Sequence, residues 1–176
     1  FINNHFSQFV KPNLDQIIPQ INPSTILSIG SFDGVFVCYM IEKLGNIQPL
    51  IFSCADNEDT FYQELFSSNT KFAQEKSKNL ITIEEVMDDN ITNILLEQAV
   101  KDRKEFYNLI YFNNLTNSSD TLLNLVIAFK LLKVGGSMII NPFGWPRQVQ
   151  ELDKFNRMAV DFFTIAYANK IQIMPA

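Results

Sequence analysis

Histidine is almost absent from this chain: His5 is the only one in 176 residues. A metal centre built on imidazoles, or a histidine general base, has no other material to draw on. His5 sits far from every motif and reads as an exposed residue of the lead-in. Cysteine is nearly as scarce. Cys38 lies within an apolar helical run and Cys54 within an apolar strand run, so neither belongs to a disulfide framework. Two buried thiols fit a reducing compartment, and the cytoplasm is the expected location. Basic residues are few: 14 Lys and Arg face 19 Asp and Glu, giving a net charge of −5. With no basic stripe to neutralise phosphates, nucleic acid is not an expected partner. The chain also lacks an apolar run of about 18 residues and a basic-then-apolar leader at Phe1. Neither a spanning segment nor a membrane partner is expected. Three N-x-[ST] triplets, at Asn90, Asn114 and Asn117, reflect an Asn-rich composition and not glycosylation.

What is present is alternation. STILSIG (24–30), PLIFSCA (49–55), LITIEEV (80–86), YNLIYF (107–112) and SMIINP (137–142) are short apolar or β-branched runs bounded by turn residues. Such runs are strands buried on both faces. Helical stretches separate them: 34–44, 58–68, 90–102, 118–136 and 146–170. The last begins at Pro146, with Val149, Leu152, Phe155, Ala159, Phe162, Phe163 and Ala166 as its inner stripe. Prolines at 12 and 19 interrupt residues 8–21, so any helix there is expected to be short. IQIMPA (171–176) reads as a sixth strand. Strands alternating with helices of ten or more residues predict an α/β, doubly wound, mostly parallel sheet. One domain over 1–176 is expected, with 1–23 as a helical lead-in.

With only six glycines in the chain, a pair four residues apart stands out: Gly30-Ser31-Phe32-Asp33-Gly34, between the first strand and the next helix. In a parallel sheet this turn lies at the carboxyl ends of the strands, where ligands bind at a reversal of strand order. Gly30 allows a ligand to approach, and Gly34 lets the helix start close to the strand. The helix N-terminus adds free backbone N–H groups. Two glycines in place of three weaken a nicotinamide or flavin reading. A tight strand-to-helix turn with no ligand is the plain alternative.

The turn ILSIGSFDG resembles motif I of class I S-adenosylmethionine-dependent methyltransferases. YNLIYFNNLTNSSDTLLNLVIAFKLLKVGGSMIINPF (107–143) is similar, without a gap over 37 residues, to a block of the small O-methyltransferase-like group known as methyltransferase family 24. RMAVDFFTIAYANKIQIM (157–174) resembles that group's approach to its sixth strand. The resemblance implies a sheet of order 3-2-1-4-5-7-6 with an antiparallel seventh strand; the sequence stops where that strand would begin, so the expectation is a sheet that either lacks it or does not show it. It also implies S-adenosylmethionine as cofactor, held by Ser28, Gly30, Ser31, Phe32, Asp33, Gly34, Asp56, Asp88 and Asn113.

Several positions depart from the family pattern, and the change is always a loss of charge. Ser28 stands where motif I opens with an acid. Asn113 and Asn114 replace Asp-Gly, Thr116 a histidine, Asn124 an aspartate, and Asn141-Pro142 a pair of aspartates. Hard divalent cations want anionic oxygens, so no metal is expected. Asp56 and Glu58 remain as acceptors for ribose hydroxyls, or as caps of the helix that follows. Asp88 and Asp89 stand near the adenine in the family pattern, and equally suit capping at Asn90. Phe143 and Trp145 are candidates for the floor of an acceptor pocket, or for core packing. No catalytic residue is assigned.

Two functions follow. One is a metal-independent methyltransferase acting on a small-molecule acceptor by proximity, since a sulfonium is already activated. The other is a catalytically inactive methyltransferase-like module that binds a protein partner. A nicotinamide-dependent oxidoreductase lacks both a third glycine and a Tyr-x-x-x-Lys pair.

Overall fold

The computed structural model describes residues 6–56, 60–88, 90–101, 103–113, 118–141 and 152–173. Expectations placed on His5, Glu58, Asp89, Asn114, Thr116, Pro142, Phe143, Trp145 and Pro146 lie outside these residues. The elements are a π-turn (Phe6–Val10) leading into α1 (Lys11–Ile21), β1 (Thr25–Ile29), α2 (Val35–Leu44), β2 (Leu50–Asp56), α3 (Thr60–Lys76), β3 (Ile81–Met87), α4 (Ile91–Val100), β4 (Tyr107–Phe112), α5 (Ser118–Leu131), β5 (Leu132–Ile140) and α6 (Leu152–Ala166).

The sheet runs β3-β2-β1-β4-β5, and every neighbouring pair is parallel. The helices α2, α3, α4 and α5 between successive strands therefore carry the chain back from the carboxyl end of the sheet to its amino end. Strand order reverses between β1 and β4. One face of the sheet, through Ile26, Phe52, Cys54 and Tyr111, packs against α1, α2 and α3. The opposite face, through Leu27, Ile29, Ile110 and Phe112, packs against α4, α5 and α6. Burial on both sides explains why these strands read as continuous apolar runs.

Three differences from the sequence expectations have local causes. The lead-in forms a long helical run despite its prolines. Pro12 falls in the first turn, where no N–H is needed, and Pro19 in the last; Leu14 and Ile18, one turn apart, are buried against the core. Second, β5 starts at Leu132 and not at Ser137. Tyr107 pairs with Leu132 and Leu109 with Ser137, so residues 133–136 bulge outward, with Gly135 at φ +79°. The third concerns the C-terminal segment. Residues 171–173 are not in a strand, and 174–176 lie outside the described residues. The buried stripe of α6 is Asn156, Ala159 and Phe163, whereas Phe162 is 59% exposed and Ala166 is also exposed. Among the described residues no helix is long and apolar enough to cross a membrane.

Candidate functional site

The register of the sheet brings the singled-out residues into one row at its carboxyl end. Beyond the strand pairs, Asp88 N–H donates to Asp56 O (3.3 Å), Gly30 to Ala55 O (2.9 Å), Asn113 to Ile29 O (2.9 Å) and Asn141 to Phe112 O (2.8 Å). Asp88, Asp56, Gly30, Asn113 and Asn141 thus stand side by side across five strands. The reversal of strand order falls between Gly30 and Asn113.

The turn itself is held from several sides. Gly30 and Gly34 lie at φ +73° and +78°, and Phe32, a non-glycine, at +45°. Three left-handed residues in five make the chain double back within the length of the turn. Gly34 N–H donates to Ser31 O (2.8 Å), and the Asp56 carboxylate accepts the Phe32 N–H. That charge-assisted contact from the end of β2 offsets the unfavourable backbone of Phe32. Asp33 Oδ1 accepts from Val35 N–H (3.3 Å) and so serves the first turn of α2, while Asn69 Nδ2 donates to the Asp33 carbonyl (2.8 Å). The Phe32 ring, half-buried, meets Tyr62 edge-on at 5.5 Å.

Ser28 and Ser31 lie under the turn and not on its open side. Ser28 is fully buried, Ser31 is 5% exposed, and the Ser31 hydroxyl donates within reach of both Ser28 Oγ (3.0 Å) and Ser28 O (3.2 Å). Cys54 on β2 is packed beside them, and burial drives its thiol far above the ordinary range. Asp88 is a cap: its carboxylate accepts from Asn90 N–H (2.8 Å) and Asn93 Nδ2 (3.4 Å), while Asn90 Oδ1 accepts from Thr92 N–H (2.8 Å).

On the β4–β5 side the site is a neutral network. Asn113 Nδ2 donates to the Gly30 carbonyl (3.1 Å), fastening the turn to β4. Asn113 Oδ1 accepts from Tyr111 OH (3.3 Å) and Asn141 Nδ2 (3.2 Å), and Asn141 Nδ2 also reaches Tyr111 OH (3.1 Å). Tyr111 is fully buried and stacks on Phe36 of α2 with ring centroids 3.8 Å apart. Its phenol is pushed up to about 12 by burial, partly offset by the hydrogen bond from Asn141, so it stays protonated at neutral pH. Tyr111 and Phe36 carry no motif signal. The period-2 alternation of β4, which puts Tyr111 on the face of Asn113, was the one available clue. Asn124 lies away from this network, accepting from Thr92 Oγ1 (2.7 Å) between α4 and α5.

The solved structures that this chain resembles share one architecture. The O-methyltransferase TomG from Streptomyces achromogenes, in complex with S-adenosylmethionine, superposes with a TM-score of 0.63 at 16% identity, over 90% of this chain and 67% of its own. The Bacillus cereus O-methyltransferase bound to S-adenosylhomocysteine gives 0.69 at 14% identity, covering 96% of this chain and 73% of that one. The fold is that of the small class I O-methyltransferases. The S-adenosylhomocysteine-bound Podospora anserina methyltransferase PaMTH1 agrees, with a TM-score of 0.59 at 12% identity over 96% of this chain and 76% of that one. No family model and no curated protein sequence matches the chain. Within this methyltransferase fold the Gly30 turn occupies the first strand-to-helix corner at the switch point, where the sequence reading places it.

Proposed function

We propose that this protein is an S-adenosylmethionine-dependent methyltransferase that acts on a small-molecule acceptor without a metal ion. The observation that carries the reading is the row Asp56–Gly30–Asn113 across the point where strand order reverses. The residues present suit a nucleoside cofactor. Asp56 supplies a carboxylate at the end of β2, the place from which such a fold reaches vicinal hydroxyls, and Gly30 and Gly34 add no side chain to the turn, whose Phe32 ring rests against Tyr62. When bound, S-adenosylmethionine supplies an activated methyl group on a sulfonium. The chain's contribution is then to bind and orient, which can account for much of the rate.

Metal independence rests on the donor set. Asn113 Oδ1 already accepts two hydrogen bonds and Asn141 presents its Nδ2 to the network, so neither offers an anionic oxygen. Tyr111 is held protonated by burial, which removes it as a phenolate ligand at neutral pH.

The test is calorimetric titration with S-adenosylmethionine and S-adenosylhomocysteine, followed by methyl transfer to a panel of hydroxylated acceptors with and without a chelator. Micromolar binding and chelator-resistant transfer are expected. Absence of heat at millimolar ligand overturns the reading in favour of a methyltransferase-like module without a cofactor. Transfer abolished by chelation overturns metal independence alone.

A further inference from the structure

The amino end of the sheet, opposite the site, carries an unusual combination of side chains. The three most exposed large apolar residues among those described, Val134 (90%), Val100 (86%) and Leu80 (74%), all lie there, with Ile47 at 69%. Each occupies a different return from helix to strand: Ile47 before β2, Leu80 before β3, Val100 at the end of α4 before β4, and Val134 in the bulge at the start of β5. Single exposed aliphatics are ordinary on a protein surface. Four at the tips of returns at one end of a parallel sheet, two on either side of the return into β1, are a set.

Each tip has a lysine close in sequence: Lys43 with Ile47, Lys78 with Leu80, Lys101 with Val100, Lys133 with Val134; of these, Lys43 pairs with Asp15 (2.7 Å) and Lys101 with Glu84 (3.7 Å). Nine of the 14 Lys and Arg fall in the last turns of helices, the returns that follow them and the bulge, against five of the 19 acids, Glu42, Glu75, Glu97, Asp102 and Glu105. A chain with net charge −5 thus concentrates its cations at one end. Helix dipoles favour lysine at helix C-termini and account for part of this. They do not account for aliphatic tips standing in water beside those lysines.

We infer that the amino end of the sheet is a docking surface for an anionic lipid bilayer, with Ile47, Leu80, Val100 and Val134 entering the headgroup region and Lys78 and Lys133 in particular meeting lipid phosphates and carboxylates. Lysine stems reach along such a surface while their ammonium groups stay at the polar boundary. An acidic protein partner would be met by the lysines alone; protruding aliphatic tips spaced between them are the feature suited to a bilayer. This peripheral contact needs no spanning segment, but it departs from the sequence expectation of no membrane partner, which rested on the lack of long apolar runs and not on the surface. The site at the carboxyl end would face away from the membrane, and the inference does not depend on the methyltransferase reading.

The experiment is co-sedimentation of the protein with vesicles of phosphatidylcholine containing roughly 30% phosphatidylserine, against phosphatidylcholine alone, at low and high salt, where each basic residue near an anionic surface is worth about a fivefold gain in partitioning. The protein is expected to pellet with the anionic vesicles only and to be released by salt. The triple substitution Leu80→Ser, Val100→Ser, Val134→Ser, and separately Lys78→Glu with Lys133→Glu, should each lower partitioning about tenfold or more while leaving thermal stability unchanged. Failure of the unaltered protein to pellet overturns the inference. So does binding indifferent to the serine substitutions, or a change in oligomeric state in those variants, which would mark the face as a contact between copies of the chain.

Discussion

Gly34 shows how little freedom the turn leaves to single residues. It lies at φ +78°, and a methyl group added there would meet Phe66 Cδ2 and Thr70 Cγ2, each at 3.1 Å. Gly34→Ala therefore combines left-handed strain with crowding, and should cost about 1–3 kcal/mol in urea denaturation. Asp56 carries a structural load, since it accepts the Phe32 N–H at the end of β2, and under the proposed function a binding load as well. Asp56→Asn should weaken S-adenosylmethionine binding about tenfold or more by calorimetry, because a charge-assisted acceptor is lost. Tyr111→Phe removes the hydroxyl shared by Asn113 and Asn141 in a buried setting, and should lower stability by about 1–3 kcal/mol in the same denaturation assay. The sequence exposed these residues unequally. Gly30, Gly34 and Asp56 were legible because a turn and a strand end dictate residue types. Ser28 looked like a crevice residue by its place in the motif, yet strand alternation turns it into the core, under Ser31. The hydrogen bond from Asn113 to the Gly30 carbonyl joins residues 83 positions apart, which no local pattern encodes.

At the level of elements, strand and helix existence was legible, and most errors fell where tertiary contacts overrule local preference. α1 keeps Pro19 in its last turn because Leu14 and Ile18 anchor it and Asp15 ties it to α2, accepting from Tyr39 OH (2.9 Å) and pairing with Lys43 (2.7 Å). The hydrogen bond with Lys43 is the main influence holding the Asp15 carboxyl below its ordinary 3.8, with burial opposing it. A depressed folded value means that the ionised group stabilises the fold above pH 3.8, and that this contribution disappears as the pH falls through the folded value. Asp15→Asn should thus lower the melting temperature by on the order of 1–3 °C at neutral pH, as expected for a half-exposed pair, and by nothing in strong acid. The start of β5 was misplaced because Lys-Val-Gly-Gly reads as a helix stop, whereas here it is a bulge that resumes pairing at Ser137.

For the whole molecule, the α/β class follows from alternation and from both-face burial, which are global and hence visible in sequence, whereas the order β3-β2-β1-β4-β5 matches what the family resemblance implied for these five strands. The polarity of the two ends was not visible. It exists only once each return is folded to one side of the sheet, bringing together lysines and aliphatics scattered from Lys43 to Val134. The two cysteines add a further property of the whole. Cys54 is 1% exposed beneath Ser28 and Ser31, and Cys38 sits half-buried on α2 with its thiol raised to about 11, chiefly by burial. Neither sulfur is poised for attack on an alkylating reagent while the fold is closed. The rate at which Cys54 takes up such a reagent therefore clocks how often the corner above it opens, a native stopwatch that needs no added label.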